Sequence, residues 1–530
     1  MRRTKRIAWS ALATSVAVAA CGGATGGSSA DGGACSEGQM LCGTACTRVL
    51  VDPANCGACG VTCGDGKVCI GGTCLTPGGG DAGAASHEAG TRPDAGPGSD
   101  AALQGDASVG LDGGVEGDAG GLRACPAASL CAGACVDLRA DPAHCGACTT
   151  ACATGQICTG GTCGAPTSDW PMFGFDAQHS GYNALETGKP PAMGSTPWSV
   201  TVSGPQTQGG AALHPAASDG ARAFVTPDSS FATSSPLLAV ALADGKTLWS
   251  HDFGNVENVG HPSVVGGTVY VQTNKGTTGN ATDLWALDAS TGNLLWAAPY
   301  GSQWERFWAP LVVGSTVYVD GGEYGGLLGF RTVDGAQLFF NAGIGQYDSW
   351  SPAYFHGALY TFIAGTFSSE DPVTGVVQST TKVPWTWTGY TMNTAPVFGP
   401  TLAYVIAPPA LAAIDPAKNA VAWSVNGSFS GTPAVAGGVV YAVDGGNLLA
   451  NDAATGALVA TMVGDSALKY PPVVAAGHVY AASDANVYAW DAATRTQAWT
   501  ATVGGWLSIA GGKLLVSSGS GVLHGFTLSP

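Results

Sequence analysis

Residues 169–530 predict an all-β fold, an about eight-bladed propeller of four-stranded blades, and three observations carry that reading. The first is a repeat. From residue 209 a unit recurs that holds a Pro-led apolar strand, a Gly turn, a strand containing Val-Tyr, a third apolar strand, an Asp-x-x-Thr-Gly turn and a fourth strand bearing Trp. Its clearest copy runs from His261 through Val269-Tyr270 and Asp288-Ala289-Ser290-Thr291-Gly292 to Trp296. Further copies begin near Pro215, Pro310, Pro352, Pro396, Pro433 and Pro472, at intervals of about 37 to 48 residues, the length of four short strands and their turns. The second observation is local: short alternating strands are punctuated by Gly turns throughout, which argues against helices. The third lies at the ends. The last unit, Ser508 to Thr527, lacks its Asp turn and Trp strand, and Pro197-Trp198-Ser199-Val200-Thr201-Val202 resembles the missing piece. Residues 197–202 are therefore expected to complete the last blade and close the ring, which removes unpaired sheet edges. Seven units plus this shared one make eight blades; the count is seven if the irregular unit from Pro352 to Val377 is an insertion.

The N-terminus reads as an address. Arg2, Arg3, Lys5 and Arg6 precede a short apolar run from Ile7 to Ala17, the pattern of an export signal and too short to span a bilayer comfortably. Val18-Ala19-Ala20-Cys21 follows and resembles the lipobox of bacterial lipoproteins. That resemblance implies cleavage after residue 20, lipidation of Cys21, a membrane anchor and a tether over residues 21–34. Each buried CH2 of an acyl chain contributes about 0.8 kcal/mol, so several chains hold a protein stably. Gly22 rather than Asp follows Cys21, which by the same resemblance points to the outer membrane of the cell envelope, on either its periplasmic or its surface side. A net charge of −17 repels phosphate backbones, so nucleic acid is excluded as a partner.

All cysteines lie at or before residue 163. Cys35, Cys42, Cys46, Cys56, Cys59, Cys63, Cys69 and Cys74 recur as Cys125, Cys131, Cys135, Cys145, Cys148, Cys152, Cys158 and Cys163 with identical spacing after the first interval. One module is thus used twice, over residues 35–74 and 125–163. Neither copy has the large apolar side chains for a core, so cross-links must hold it. In an exported segment the eight cysteines read as four disulfides, each stabilising by about 2 to 4 kcal/mol. Their pairing stays open, since eight cysteines allow on the order of a hundred connectivities. The CxxC pairs Cys56/Cys59 and Cys145/Cys148 are the rival case for zinc, but an oxidising compartment and the lack of a partner His in the first module weigh against it, and no metal is expected. The spacing resembles the cysteine-rich repeats of stigma-specific secreted proteins and of myxobacterial lipoproteins. Residues 75–124 are Gly, Ala, Asp and Pro with little to bury, and are expected to be a disordered linker. Modules and linker together read as a stalk.

Asp169-Trp170-Pro171-Met172-Phe173-Gly174-Phe175-Asp176-Ala177-Gln178-His179-Ser180-Gly181, with the Asp-x-x-Thr-Gly-x-x-x-Trp repeats, resembles the PQQ-like propeller family over residues 169–530. The resemblance implies blade-docking roles for Trp198, Trp249, Trp296, Trp423 and Trp499. It leaves activity open, because the family holds both quinoprotein dehydrogenases and non-catalytic propellers. Quinoprotein alcohol dehydrogenases carry a vicinal cysteine pair, an acidic calcium cluster and a catalytic Asp, whereas this propeller has no Cys. Asp244, Asp288, Asp334, Asp415, Asp452 and Asp491 occupy the repeated turn, where Asp bonds local amides. The sequence therefore argues against PQQ and calcium, and names no catalytic residue. His214, His261 and His356 sit beside strand starts and turns and read as structural.

Three consecutive loops entering inner strands are aromatic: Trp304 with Trp308, Tyr347 with Trp350, and Trp385, Trp387 and Tyr390. Aromatic platforms suit sugar faces and peptide anchors. The same residues also suit plugging of a channel mouth. The expectation is a non-enzymatic, lipid-anchored envelope protein whose propeller binds a protein or glycan, with an outer-membrane assembly scaffold of the barrel-assembly type and a PQQ-dependent dehydrogenase as alternatives. On that reading, substitution of Trp308, Trp350 and Trp387 weakens capture and leaves folding intact.

Overall fold

The computed structural model describes residues 136–530 except 155, 203–211, 229, 233, 275–281, 303–307 and 385–388, together with short stretches at 40–42, 45–47, 59–62, 68–70, 73–75, 130–131 and 134–135. Cys21 and the linker lie outside the described residues. The chain divides into Met1–Gly113 and Gly114–Pro530. In the first unit, Met40–Cys42 pairs with Ala45–Thr47 and Val68–Ile70 with Thr73–Leu75. The second module repeats both hairpins at Leu130–Cys131 with Ala134–Cys135 and at Ile157–Thr159 with Thr162–Gly164. The duplicated spacing thus yields duplicated local structure.

All elements among the described residues are strands. Eight four-stranded antiparallel blades follow one another. Their inner strands are Ala217–Ser218, Ser263–Val265, Leu311–Val313, Ala353–Phe355, Val397–Phe398, Phe429–Ala436, Val473–Ala475 and Trp506–Ala510. The irregular unit from Pro352 is a regular fourth blade, Ala353–Phe355, Ala358–Ile363, Thr366–Glu370 and Val377–Lys382. The second blade is widened by Ser230–Ala232 and Val256–Val259. Closure takes the expected form: Trp198–Thr201 pairs antiparallel with Val522–Thr527, Trp198 facing Gly525 and Thr201 facing Val522.

The blade interfaces show why the repeat needs both Trp and Gly. The fourth-strand indoles donate Nε1–H to the next blade's turn, from Trp198 to the Leu242 carbonyl at 3.1 Å, Trp249 to Ala289 at 3.1 Å, Trp296 to Thr332 at 2.8 Å and Trp423 to Ala453 at 3.1 Å. Each ring lies on the turn glycine. A Cβ at Gly245, Gly292, Gly335 or Gly456 would stand 2.4 to 2.6 Å from the indole, and one at Gly375 would stand 2.3 Å from Phe339, which takes the Trp place in the third blade. Where Ser379 and Ala460 hold that place, the following turns carry Asn419 and Arg495 at the same positive φ. Side chains are tolerated where no ring needs the space. Trp499, also buried, packs edge-on against Phe526 at 5.1 Å in the last blade. Aspartates fix the turns: Asp452 Oδ1 accepts from the Ala454 and Thr455 amides, and Asp491 and Asp371 repeat the pattern.

The second cysteine module is a docked element rather than a free length of stalk. Cys131–Cys148, Cys145–Cys158 and Cys152–Cys163 are bonded. The sulfurs of Cys145, Cys152 and Cys163 lie within 4.8 Å of one another, but each is committed to one of these bridges and is no thiolate ligand. Arg139 reaches the second blade, donating to Asp288 Oδ2 at 2.8 Å and to the Gly267 carbonyl at 2.9 Å, while the Gly160 amide donates to Gly266. The first module has Leu50 at the equivalent position and lacks this contact residue. Cys59 is also disulfide-bonded; Cys42, Cys46, Cys69 and Cys74 lie in the hairpin strands of the first module, and Cys35, Cys56 and Cys63, with Cys125, lie outside the described residues.

Candidate binding face

Residues 168–183, which open the propeller segment, run around the ring on the face of the Gly turns that follow the inner strands. Backbone amides of the blades donate to this segment in succession: Ser218 exchanges bonds with Trp170 at 2.8 Å, then Val264 bonds Pro171, Tyr354 bonds Ala177, Phe398 bonds Gln178, Val435 bonds Ser180, Val474 bonds Gly181 and Gly511 bonds Ser168. Every blade except the third contributes. Asp176 pins the crossing by accepting from the Gln178 amide at 3.1 Å and from the Ser180 amide and hydroxyl at 2.9 and 2.8 Å. The motif that carried the family resemblance is thus a crossbar sealing one end of the axis.

From this crossbar Phe173 projects into an aromatic knot. Its ring centroid stands 4.4 Å from Trp308, 5.7 Å from His179, 5.9 Å from His261 and 6.3 Å from Trp506. His214 lies against His261 at 4.4 Å and bonds the Val259 carbonyl through Nε2. Burial holds His179 down at about 4 and pushes His261 well below the usual histidine range, with the nearby His214 adding to the effect, so both are neutral packing groups at pH 7. A cavity of 20 Å³, about the room of one water, remains beside Trp170, Phe173, His179 and Trp506. An organic cofactor needs roughly 300 Å³ or more. That cavity by itself is too small for one.

Two of the proposed face residues belong to the core. Trp308 is 4% exposed and Trp350 is 3% exposed. Each stands just before a Pro that opens an inner strand, where the chain converges on the axis, so the side chain fills the knot or the blade interface instead of the rim. Substituting either should damage folding, which corrects the sequence expectation. Tyr390 is 75% exposed and Tyr347 half-buried, their rings 6.4 Å apart. The Asp348 amide donates to the Tyr390 carbonyl and the Met392 amide to Asp348, which zips the two loops together. Trp304, Trp385 and Trp387 lie outside the described residues. Sequence reasoning passed over Tyr324, 75% exposed in the loop Gly321-Gly322-Glu323-Tyr324-Gly325-Gly326 between the second and third strands of the third blade. Its signal was the palindrome of paired glycines around Glu323 and Tyr324.

Buried acids need separate testing, because raised carboxyl pKa values often mark catalytic acids. Asp169 is pushed up to about 6 and Asp320 well above its usual range, both chiefly by burial. Glu370 has no exposed surface, accepts from Thr361 Oγ1 at 2.7 Å and leaves Oε2 without a partner. Burial pushes it up to about 7, against the Thr361 bond, which lowers it. No substrate reaches such a group, and its consequence is for stability. Folded Glu370 holds its proton up to about pH 7, whereas the unfolded residue releases it near 4.5. Stability therefore declines as pH rises from about 4.5 to 7 and then levels. Glu370→Gln should flatten that slope and raise stability at pH 8 by about 3 kcal/mol, with no gain at pH 4.5. Denaturant unfolding at the two pH values measures both.

A closed ring of eight four-stranded blades, with indoles docked on glycine turns, defines a propeller of PQQ-like repeats. The chain belongs to the family described as outer membrane protein assembly factor BamB, which matches residues 190–340 and 407–528, more than half of its length. The unmatched interval contains the fourth blade, where Ser379 replaces the docking Trp. Residues 120–166 match the stigma-specific STIG1-like protein family. Among solved structures, the chain is similar to BamB from Moraxella catarrhalis at 16% identity and a TM-score of 0.50, over 63% of this chain and 99% of that one. It is similar to quinohemoprotein alcohol dehydrogenases from Pseudomonas putida HK5 at 13% and 0.52 and from Comamonas testosteroni at 15% and 0.51, each over 68% of this chain and 80% of the other. At such identities the likeness is one of fold. No curated protein sequence is significantly similar.

Proposed function

We propose that this chain is a non-enzymatic envelope protein, held at the outer membrane through lipidated Cys21, whose propeller captures a protein or glycan partner on the face carrying Tyr324, Tyr347 and Tyr390. The observation that carries this reading is the contrast between the two routes to a ligand. The axis is crossed by residues 168–183 and packed by Phe173, Trp308 and Trp506, whereas large aromatic side chains stand exposed on the loops. An exposed Tyr supplies large contact area and binds with little loss of rotamer freedom.

A second reading, a scaffold for outer-membrane assembly, is favoured by the family match and uses the same kind of face. A quinoprotein dehydrogenase is disfavoured by the packed axis and the cysteine-free propeller. Pull-downs from envelope extracts, run beside a glycan array, test the reading. Tyr390→Ala should cut capture about tenfold with an unchanged melting temperature, the loss of one anchor residue. Equal capture by both chains, or dye reduction after loading with PQQ and calcium, would contradict it.

A further inference from the structure

Between the second and third blades the loops at 301–302, 321–326 and 345–346 converge. Gly322 donates to the Gly301 carbonyl at 2.7 Å, Ser302 bridges to Gly322, and a Cβ at Gly325 would stand 2.4 Å from the Gln346 amide nitrogen. Together they frame a cavity of 380 Å³, within the size range of small-ligand sites. Tyr300, Phe340 and Tyr324 form its walls and Leu328 is also among its lining residues.

The walls are built to stay in place. A Cβ at Gly321 would meet the Tyr300 ring at 2.4 Å, and one at Gly326 would meet Phe340 at 2.3 Å. Both rings therefore rest directly on glycine backbone, and Gly326, at a φ of 153°, adopts a conformation that other residues rarely reach. The Tyr300 hydroxyl is fixed from behind by Gln272 Nε2 at 2.6 Å. Phe340 keeps 46% of its surface exposed despite this support.

The polar groups of the pocket are unspent. Glu323 and Gln337 line it, both exposed, and neither side chain bonds any described residue. Such a site offers flat apolar faces beside one carboxylate and one amide. A purely apolar peptide anchor would leave that carboxylate and amide idle. A pyranose ring has the matching character, with a C–H face to lie on the aromatic walls and a rim of hydroxyls to donate to Glu323 and exchange bonds with Gln337.

We infer that this pocket, framed by Tyr300, Glu323, Tyr324, Gln337 and Phe340, binds a pyranose residue of a glycan. The inference rests on the binding-face reading above and makes its ligand class specific. Saturation-transfer NMR on the full chain, with chitotetraose, maltotetraose and cellotetraose as probes and N-acetyltyrosinamide as the peptide-anchor mimic, tests it. At least one oligosaccharide should receive saturation on its ring protons, and Tyr324→Ala and Glu323→Gln should each weaken binding about tenfold at unchanged melting temperature. Absence of transfer to all three sugars, transfer unaffected by both substitutions, or preferential transfer to N-acetyltyrosinamide would overturn the pocket assignment. If Tyr390→Ala still cuts envelope capture about tenfold in that event, the face reading stands and the glycan assignment alone fails.

Discussion

Trp308→Ala is expected to lower the melting temperature of the propeller by roughly 4–7 °C, from a loss of about 3 to 5 kcal/mol. The indole is almost wholly buried and its partner Phe173 is itself held by the crossbar. Truncation leaves a hole bounded by Phe173 and His261, and neither can collapse into it without breaking the backbone bonds that tie residues 168–183 to the blades. Tyr390→Ala, made on the same face at an exposed ring, should leave the melting temperature within experimental error. A thermal scan of the two variants side by side reads the difference. Equal, small effects would mean that the axis is not packed as described.

The second large effect concerns closure. Replacing residues 198–201 by a Gly-Ser tetrapeptide should destabilise the ring by several kcal/mol and produce dimers and larger species in size-exclusion chromatography. Three losses coincide. The Val522–Thr527 strand is left with an unpaired edge, the Trp198 bond to Leu242 disappears, and Gly245 and Gly525 lose the ring packed directly on them. Only the first of these creates a template for pairing with another chain. Trp198→Ala alone, which keeps the strand, should therefore lower stability without causing association.

The parts of this fold that were legible in the sequence are those written repeatedly along it. The interval between Pro-led strands, the Asp turn and the Trp strand gave the blades, and the likeness of Trp198-Ser199-Val200 to Trp423-Ser424-Val425 revealed the shared blade. Residues whose roles depend on the axis were not legible. Trp308 and Trp350 sit in loop positions by sequence, and only the convergence of inner strands turns them inward. The crossbar was visible as a motif, yet its bonds run to strands up to more than 300 residues away in the chain. Docking of the second module hung on Arg139, a single substitution relative to Leu50 in the first copy. Tyr324 was hidden because a Gly-rich stretch between strands reads as an ordinary turn.

Everything proposed for the loop face depends on a ring held shut by its first strand. Ser199 and His524 face one another across that junction, with Ser199 Oγ 2.8 Å from His524 Nδ1. The double substitution Ser199→Cys with His524→Cys places two thiols there in a propeller that has no other cysteine. Oxidation followed by intact-mass and reducing-gel analysis should reveal a quantitative intramolecular disulfide, which forms without denaturant and raises the melting temperature. Two free thiols in the folded chain, or disulfide found only between molecules, would show that the ring is open.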